Sequence, residues 1–245
     1  MIEFAGIRSD ERYVVVEHFP RRKIPKRKYL VQTIPGRSGD LYIEESDDAF
    51  ENYDDQYSVF LDAKAPGLQQ VSRGLAEWLL SSPGYQRLED SYDPDTFRMA
   101  VYTGGEDFIN IFNEYGRGTL TFNCNPKRFY KNGEKEIDVV SGAKIYSPSL
   151  FKAHPIVTIT TSSKTNVSLD VYNKNDISKT FTIKDLNGLV VIDSEAHTAL
   201  ITNGVSVNSN VDTSYENLYL DSISSISWSN SKVTSVKIIP RWWTV

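Results

Sequence analysis

Cysteine is almost missing from this chain. Cys124 stands alone among 245 residues, which rules out an internal disulfide and a cysteine-based metal cluster within one chain. No base or signature flanks it, and its β-like surroundings read it as a small buried hydrophobe. Histidine is nearly as scarce. His18, His154 and His197 are too far apart in sequence for a short-spaced zinc pair. A Gly-x-Ser-x-Gly elbow for a hydrolytic triad is absent. Gly104-Gly105, Gly116 and Gly118 lack the lysine or helix context of a Walker or dinucleotide loop. Neither a cofactor nor a metal is expected. No apolar run approaches the roughly 18 residues of a membrane span. The start, Met1-Ile2-Glu3-Phe4-Ala5-Gly6, lacks the basic and apolar regions of a signal peptide. The chain therefore reads as made in a cytoplasm, with no membrane partner. A basic surplus is missing too. Lys and Arg number 27 against 32 Asp and Glu, for a net charge of −5, which disfavours a dedicated nucleic-acid binder.

What is present is material for strands. Hydrophobic residues make up 40% of the chain and aromatic residues 12%, with 14 Tyr and 11 Phe against 2 Met. That suffices for a core of two domains, or of one large β domain. In the first half, residues 13–19, 29–34, 56–61, 85–88, 97–102 and 118–124 are β-branched, aromatic or alternating, and turn residues bound them. Gly36 and Gly39 can adopt positive φ and predict a compact turn after 29–34. Residues 68–82 change period. Leu68, Val71, Leu75, Trp78 and Leu79 form one helical stripe that ends before Pro83-Gly84. Trp78 on that stripe predicts core packing.

From Lys131-Asn132-Gly133-Glu134-Lys135 to Pro155 the chain is mostly polar and small, and reads as a boundary region. Beyond it, 156–160, 167–172, 181–183, 189–193, 198–202, 218–220, 223–228 and 233–238 read as short strands. Their spacing of about 8–12 residues is that of a β-sandwich or jelly roll. Asn187-Gly188 and Asn203-Gly204 read as hairpin turns. The fold class is mainly β. Residues 1–135 form a β-rich (α+β) domain with one helix, and 136–245 form a β-sandwich.

Two charged runs stand out. Glu44, Glu45, Asp47, Asp48, Glu51, Asp54 and Asp55 cluster without the glycine that a calcium loop needs. They read as a solvated or lumen-facing acidic surface; a glycosidase carboxylate pair is the sharper alternative. Arg21, Arg22, Lys23, Lys26, Arg27 and Lys28 form the basic run. It can meet a neighbouring subunit, a phosphate or only water. Tyr172, Tyr215, Tyr219 and Trp228 could stack on sugar rings, which keeps a carbohydrate-binding module or cell-wall adhesin as a second function.

Three separated segments carry a resemblance. Pro35-Gly36-Arg37-Ser38-Gly39-Asp40-Leu41 runs into the acidic stretch. Leu120-Thr121-Phe122-Asn123-Cys124-Asn125-Pro126 closes the first half, and the chain ends on Pro240-Arg241-Trp242-Trp243. In this order they resemble the distal tail protein (Dit) family of long non-contractile bacteriophage tails, as does Val191-Ile192-Asp193-Ser194-Glu195. The resemblance implies a structural, non-enzymatic virion protein at the tail tip, in a free phage or a prophage. Its N-terminal domain would form a homo-hexameric ring. Its sandwich would be galectin-like or carbohydrate-binding-module-like. The implied partners are the tail tube protein, the tape measure protein, a tail-associated lysin or spike, and receptor-binding proteins. DNA is met only in passage, for which a moderately acidic surface is suited. Pro240-Arg241-Trp242 is expected to pack back on the protein, on the N-terminal domain, whereas Trp243 has no evident counterpart.

Overall fold

The computed structural model describes residues 1–17, 23–44, 46, 48–64, 66–104, 109–111, 114–174 and 176–245, with the backbone alone at 109–111 and 176–177. They divide into two compact units, Met1–Arg128 with Val245, and Phe129–Thr244.

The first unit holds β1 (Ile2–Phe4), β2 (Ile7–Arg8), β3 (Val14–Val16), β4 (Tyr29–Gln32), β5 (Leu41–Glu44) and β6 (Tyr53–Asp62). Helix α1 (Leu68–Leu80), β7 (Gln86–Asp90), β8 (Thr96–Tyr102), β9 (Ile109–Ile111) and β10 (Tyr115–Tyr130) follow; the last two residues of β10, Phe129 and Tyr130, belong to the second unit. The main sheet runs β2-β1-β7-β8-β10-β6-β3, with β9 also on β10. Alternation sets its inner face. Along β6 the odd positions Tyr53, Asp55, Tyr57, Val59 and Leu61 are buried, and along β10 so are Leu120, Phe122 and Cys124. Helix α1 lays its stripe on this face. Leu68, Val71, Leu75, Trp78 and Leu79 are all buried, and each contributes about 1.5–3 kcal/mol of apolar burial. Trp78 also donates its indole N–H to the Phe4 carbonyl at 2.9 Å, so the largest side chain of the stripe leaves no polar atom stranded. The expected helix and its core tryptophan are both present.

The second unit holds β11 (Ile137–Asp138), β12 (Lys144–Tyr146), β13 (Ile156–Thr161), β14 (Thr165–Asn173) and β15 (Asp176–Leu186). After these come β16 (Leu189–Asp193), β17 (Thr198–Ile201), β18 (Ile223–Ser227), β19 (Val233–Ile239) and β20 (Trp243–Thr244). Two antiparallel sheets, β11-β19-β13-β16-β17 and β12-β18-β14-β15, share one apolar core. Val157, Ile159, Val190, Ile192, Val236 and Ile238 from the first sheet meet Val167, Leu169, Val171, Phe181 and Ile226 from the second.

Three expectations change here. Residues read as a boundary supply edge strands β11 and β12, which pair with β19 and β18. Asn187-Gly188 is not a hairpin turn, because β15 and β16 belong to different sheets; it carries the chain from one layer to the other. Residues 218–220 make only an isolated bridge, Ala153↔Leu220. Asn203-Gly204 does reverse the chain, with the Ile201 N–H donating to Val205 O at 3.0 Å.

Candidate assembly surfaces

Strands β4 and β5 form a two-stranded sheet of their own. The register pairs Tyr29 with Glu44, Leu30 with Ile43, Val31 with Tyr42 and Gln32 with Leu41. Directly paired residues share a face, so one face shows Leu30, Ile43 and Leu41, and the other shows Tyr29, Val31 and Tyr42. Leu30 is 59% exposed, Val31 50% and Tyr42 61%. Tyr29 and Tyr42 meet edge-on at 5.5 Å. The turn contains Pro35, Gly36, Arg37, Gly39 and Asp40. Gly36 and Gly39 adopt φ of +81° and +80°, conformations that a side chain would strain. Thr33 Oγ1 closes the turn onto Asp40 at 2.8 Å.

The two charged runs enter and leave this hairpin. Lys28 N–H donates to Ala49 O at 2.9 Å, and Glu51 N–H to Lys26 O at 2.7 Å. Arg27 lies over the Phe50 ring at 4.8 Å and 3.9 Å from Glu44. Asp48 pairs with Lys127 at 2.8 Å. Lys23, Lys26, Lys28, Glu51 and Asp54 are exposed. Arg21, Arg22, Glu45 and Asp47, like His18, lie outside the described residues.

Asp55 departs from the expected acidic surface. It points inward between Tyr53 and Tyr57 and is fully buried. The guanidinium of Arg98 bridges it to Asp90 through separate nitrogens. The Tyr57 hydroxyl accepts from Arg98 and donates to Asp90, each at 3.0 Å. Burial, and then the Asp90 carboxylate, push the Tyr57 phenol well above its ordinary range. Asp90 also accepts the N–H groups of Tyr92 and Asp93 at 2.9 Å. Sequence reading missed this cluster. Its signal was a lone arginine within an apolar strand and an aspartate at an inward position of β6. Phe122, Cys124 and Pro126 line the same side of β10 and are buried. Burial raises the Cys124 thiol to about 11, which leaves it unreactive at neutral pH. These three residues serve the core, not a surface.

The C-terminal motif closes the second unit on itself. Arg241 grips Asp193 through two parallel hydrogen bonds of 2.8 and 2.6 Å and lies 3.8 Å from Glu195. Burial alone would raise the Asp193 carboxyl. Arg241 and the N–H groups of Ala196 and Glu195 outweigh it and hold the carboxyl below its usual value. Arg241 N–H donates to Gly133 O, and Tyr130 N–H to Trp242 O, both at 2.9 Å. A Cβ on Gly133 would sit 2.7 Å from the Trp242 nitrogen, so only glycine fits there. Trp243 has a counterpart after all. It stacks on Phe151 at 4.5 Å and donates to Lys152 O at 2.9 Å.

The aromatic residues considered for sugar stacking do not share a platform. Tyr219 is buried, Tyr215 and Trp228 pack against the core, and Tyr172 is the exposed one. Among the described residues no group of three or more His, Cys, Asp or Glu could hold a metal ion, and no helix is long and apolar enough to cross a membrane.

No known family profile matches the sequence, and no curated protein matches it significantly. Solved structures do match. The crystal structure of the Dit protein of phage SPP1, described as a paradigm of the hub adsorption apparatus in phages infecting Gram-positive hosts, superposes with a TM-score of 0.80. It is 13% identical, and the match covers 100% of this chain and 98% of that one. A chain of the phage P2 baseplate in its calcium-activated conformation gives a TM-score of 0.50 at 8% identity, over 92% and 89% of the two chains. Its strontium-activated counterpart gives 0.50 at 10% identity, over 92% and 90%. The chain therefore has a Dit-like baseplate hub fold, mostly β with antiparallel sheets.

Proposed function

We propose that this protein is a structural hub at the distal end of a long non-contractile phage tail, from a free phage or a prophage. The first unit closes into a hexameric ring that joins the tail tube to the tip. The tail tube and tape measure proteins meet it on one side. A tail-associated lysin or spike, with receptor-binding proteins, meets it on the other. The sandwich unit, galectin-like in this reading, stands at the periphery as an adaptor, and no residue is assigned a catalytic role. DNA passes through the ring, with exposed Glu44, Glu51 and Asp54 lining or bordering the lumen, where their negative charge disfavours phosphate binding.

The full-length fold likeness supports the hub reading, and the β4–β5 hairpin carries the ring. A two-stranded hairpin is marginal in water by itself. This one exposes apolar side chains on both faces, which a protein acting alone would bury or replace with polar residues. An arm on one part of a copy that meets a different part of the next makes a heterologous contact, and such contacts form a ring when the rotation between copies closes. Electron microscopy of intact tails tests the reading. Sixfold density for this chain at the tail tip is expected. Its absence there, or its presence without sixfold order, overturns the proposal.

A further inference from the structure

We propose that a groove on the first unit is the socket for the β4–β5 turn of a second copy of this chain. The inference rests on the ring proposed above and names the surface that receives the arm. The groove, about 460 Å³ in volume, lies between the turn Ser9–Arg12, the following Tyr13, and helix α1. Two of its features have no use within one copy. Gly74 sits in the interior of α1, where glycine weakens a helix relative to alanine. Yet a Cβ there would meet nothing within 4 Å, so no contact in this copy calls for glycine. Bare backbone at that position permits close approach by another chain. The side chain of Arg12 lines the groove, and its Nε has no hydrogen-bond partner among the described residues, which leaves the guanidinium without a counter-charge in this copy. Tyr13 caps the Ser9–Arg12 turn at a φ of +59°, and its half-exposed ring forms part of the groove wall.

The chemistry of the turn fits this socket. Glu11, Glu77, Arg12 and Arg73 line the groove as a mixed set of charges. The turn brings one charge of each sign, Arg37 and Asp40, around the small residues Gly36, Ser38 and Gly39, all exposed. Arg37 suits the two glutamates. Asp40, or a carbonyl of the turn, suits the Arg12 guanidinium. The glycines let the turn approach Gly74. Turn and socket occupy different segments of the unit, so the contact repeats head to tail from copy to copy.

The test uses the full chain, with native mass spectrometry and light scattering to read assembly. Arg37→Glu and Glu77→Arg should each weaken assembly about tenfold, and together should restore most of it, as expected for a direct charge pair. Gly74→Leu should fill the socket and abolish the ring, while the stability of the first unit, read by hydrogen exchange of α1, holds or rises because the helix gains a better helix former. If the leucine variant unfolds, the charge cycle decides alone. Reversals that leave assembly at the parent level, or that weaken it without mutual rescue, overturn the socket and leave the ring standing. A parent chain that stays monomeric at every concentration and lacks sixfold order in tails overturns the ring, and the socket with it.

Discussion

Replacing Arg98 by methionine should destabilise the first unit by about 3–5 kcal/mol, the cost of deleting one partner from a buried ion pair. The side chains of Arg98, Asp55 and Asp90 are 3%, 0% and 0% exposed, so water cannot replace the lost guanidinium. The two carboxylates would not suffer equally. Asp90 keeps the Tyr57 hydroxyl and the N–H groups of Tyr92 and Asp93. Asp55 loses its Arg98 contact, and its Oδ1 already has no hydrogen-bond partner among the described residues. The penalty should therefore concentrate on Asp55, and a double variant Asp55→Val/Arg98→Met should recover most of the loss. Because the chain forms two units, one unfolding midpoint would not report on the first. Hydrogen exchange of β6 and β8 in rising urea isolates it. A loss under about 1 kcal/mol for Arg98→Met, or a double variant as unstable as the sum of its singles, would refute the reasoning.

Other perturbations probe other parts of the structure. Trp78→Ala should cost about 3–5 kcal/mol in the same exchange measurement; a variant as stable as its parent would mean that the helix stripe is not core. Arg241→Ala should destabilise the second unit by roughly 1–2 kcal/mol at neutral pH, allowing for partial exposure of the pair. Asp193 is depressed in the fold, so its contribution is present above the unfolded carboxylate value and is lost as pH falls through the folded one. The gap between variant and parent should therefore close in strong acid, and urea midpoints of the second unit, read from hydrogen exchange of β16, showing an equal gap at both pH values would contradict the assignment. Cys124, raised to about 11 by burial, should resist a disulfide reagent in the folded chain and react once urea unfolds it; fast reaction of the native protein would place the thiol at the surface.

The long, regular elements were legible because a period speaks through many residues. The stripe of α1 and the alternation of β13, β14 and β16 identify themselves in this way. Strands of two or three residues carry no period, and for that reason β11 and β12 read as a boundary although each completes a sheet. The burial of Asp55 was encoded too. It shares the inward parity of Tyr53, Tyr57, Val59 and Leu61, but an acidic neighbourhood outweighed the alternation. Its partners Asp90 and Arg98 lie 35 and 43 residues further on, and no local pattern announces a pairing across strands. The turn glycines of the hairpin could be read. The uncovered state of both its faces could not, because exposure depends on what the rest of the unit leaves bare.

The hairpin also makes sense of two adjacent runs of opposite charge. Read as a sequence, the basic run suggests a contact with a subunit, a phosphate or water, and the acidic run a solvated or lumen-facing surface. In the fold their described residues around 26–28 and 48–51 are the outgoing and returning ends of one arm. Lys26, Arg27 and Lys28 meet Ala49, Phe50 and Glu51 through backbone hydrogen bonds and a stacked guanidinium, and Lys127 holds Asp48. The polar base of the arm is thus satisfied within its own unit, which fixes where the arm begins. Beyond that base, from Tyr29 to Gln32 and from Leu41 to Ile43, the side chains are mostly apolar and uncovered. Paired charges at the root and bare hydrophobic surface beyond it form a gradient that an isolated protein has no reason to keep. The ring proposed above would use both: an anchored root to set the direction of the arm, and apolar faces whose burial rewards the contact.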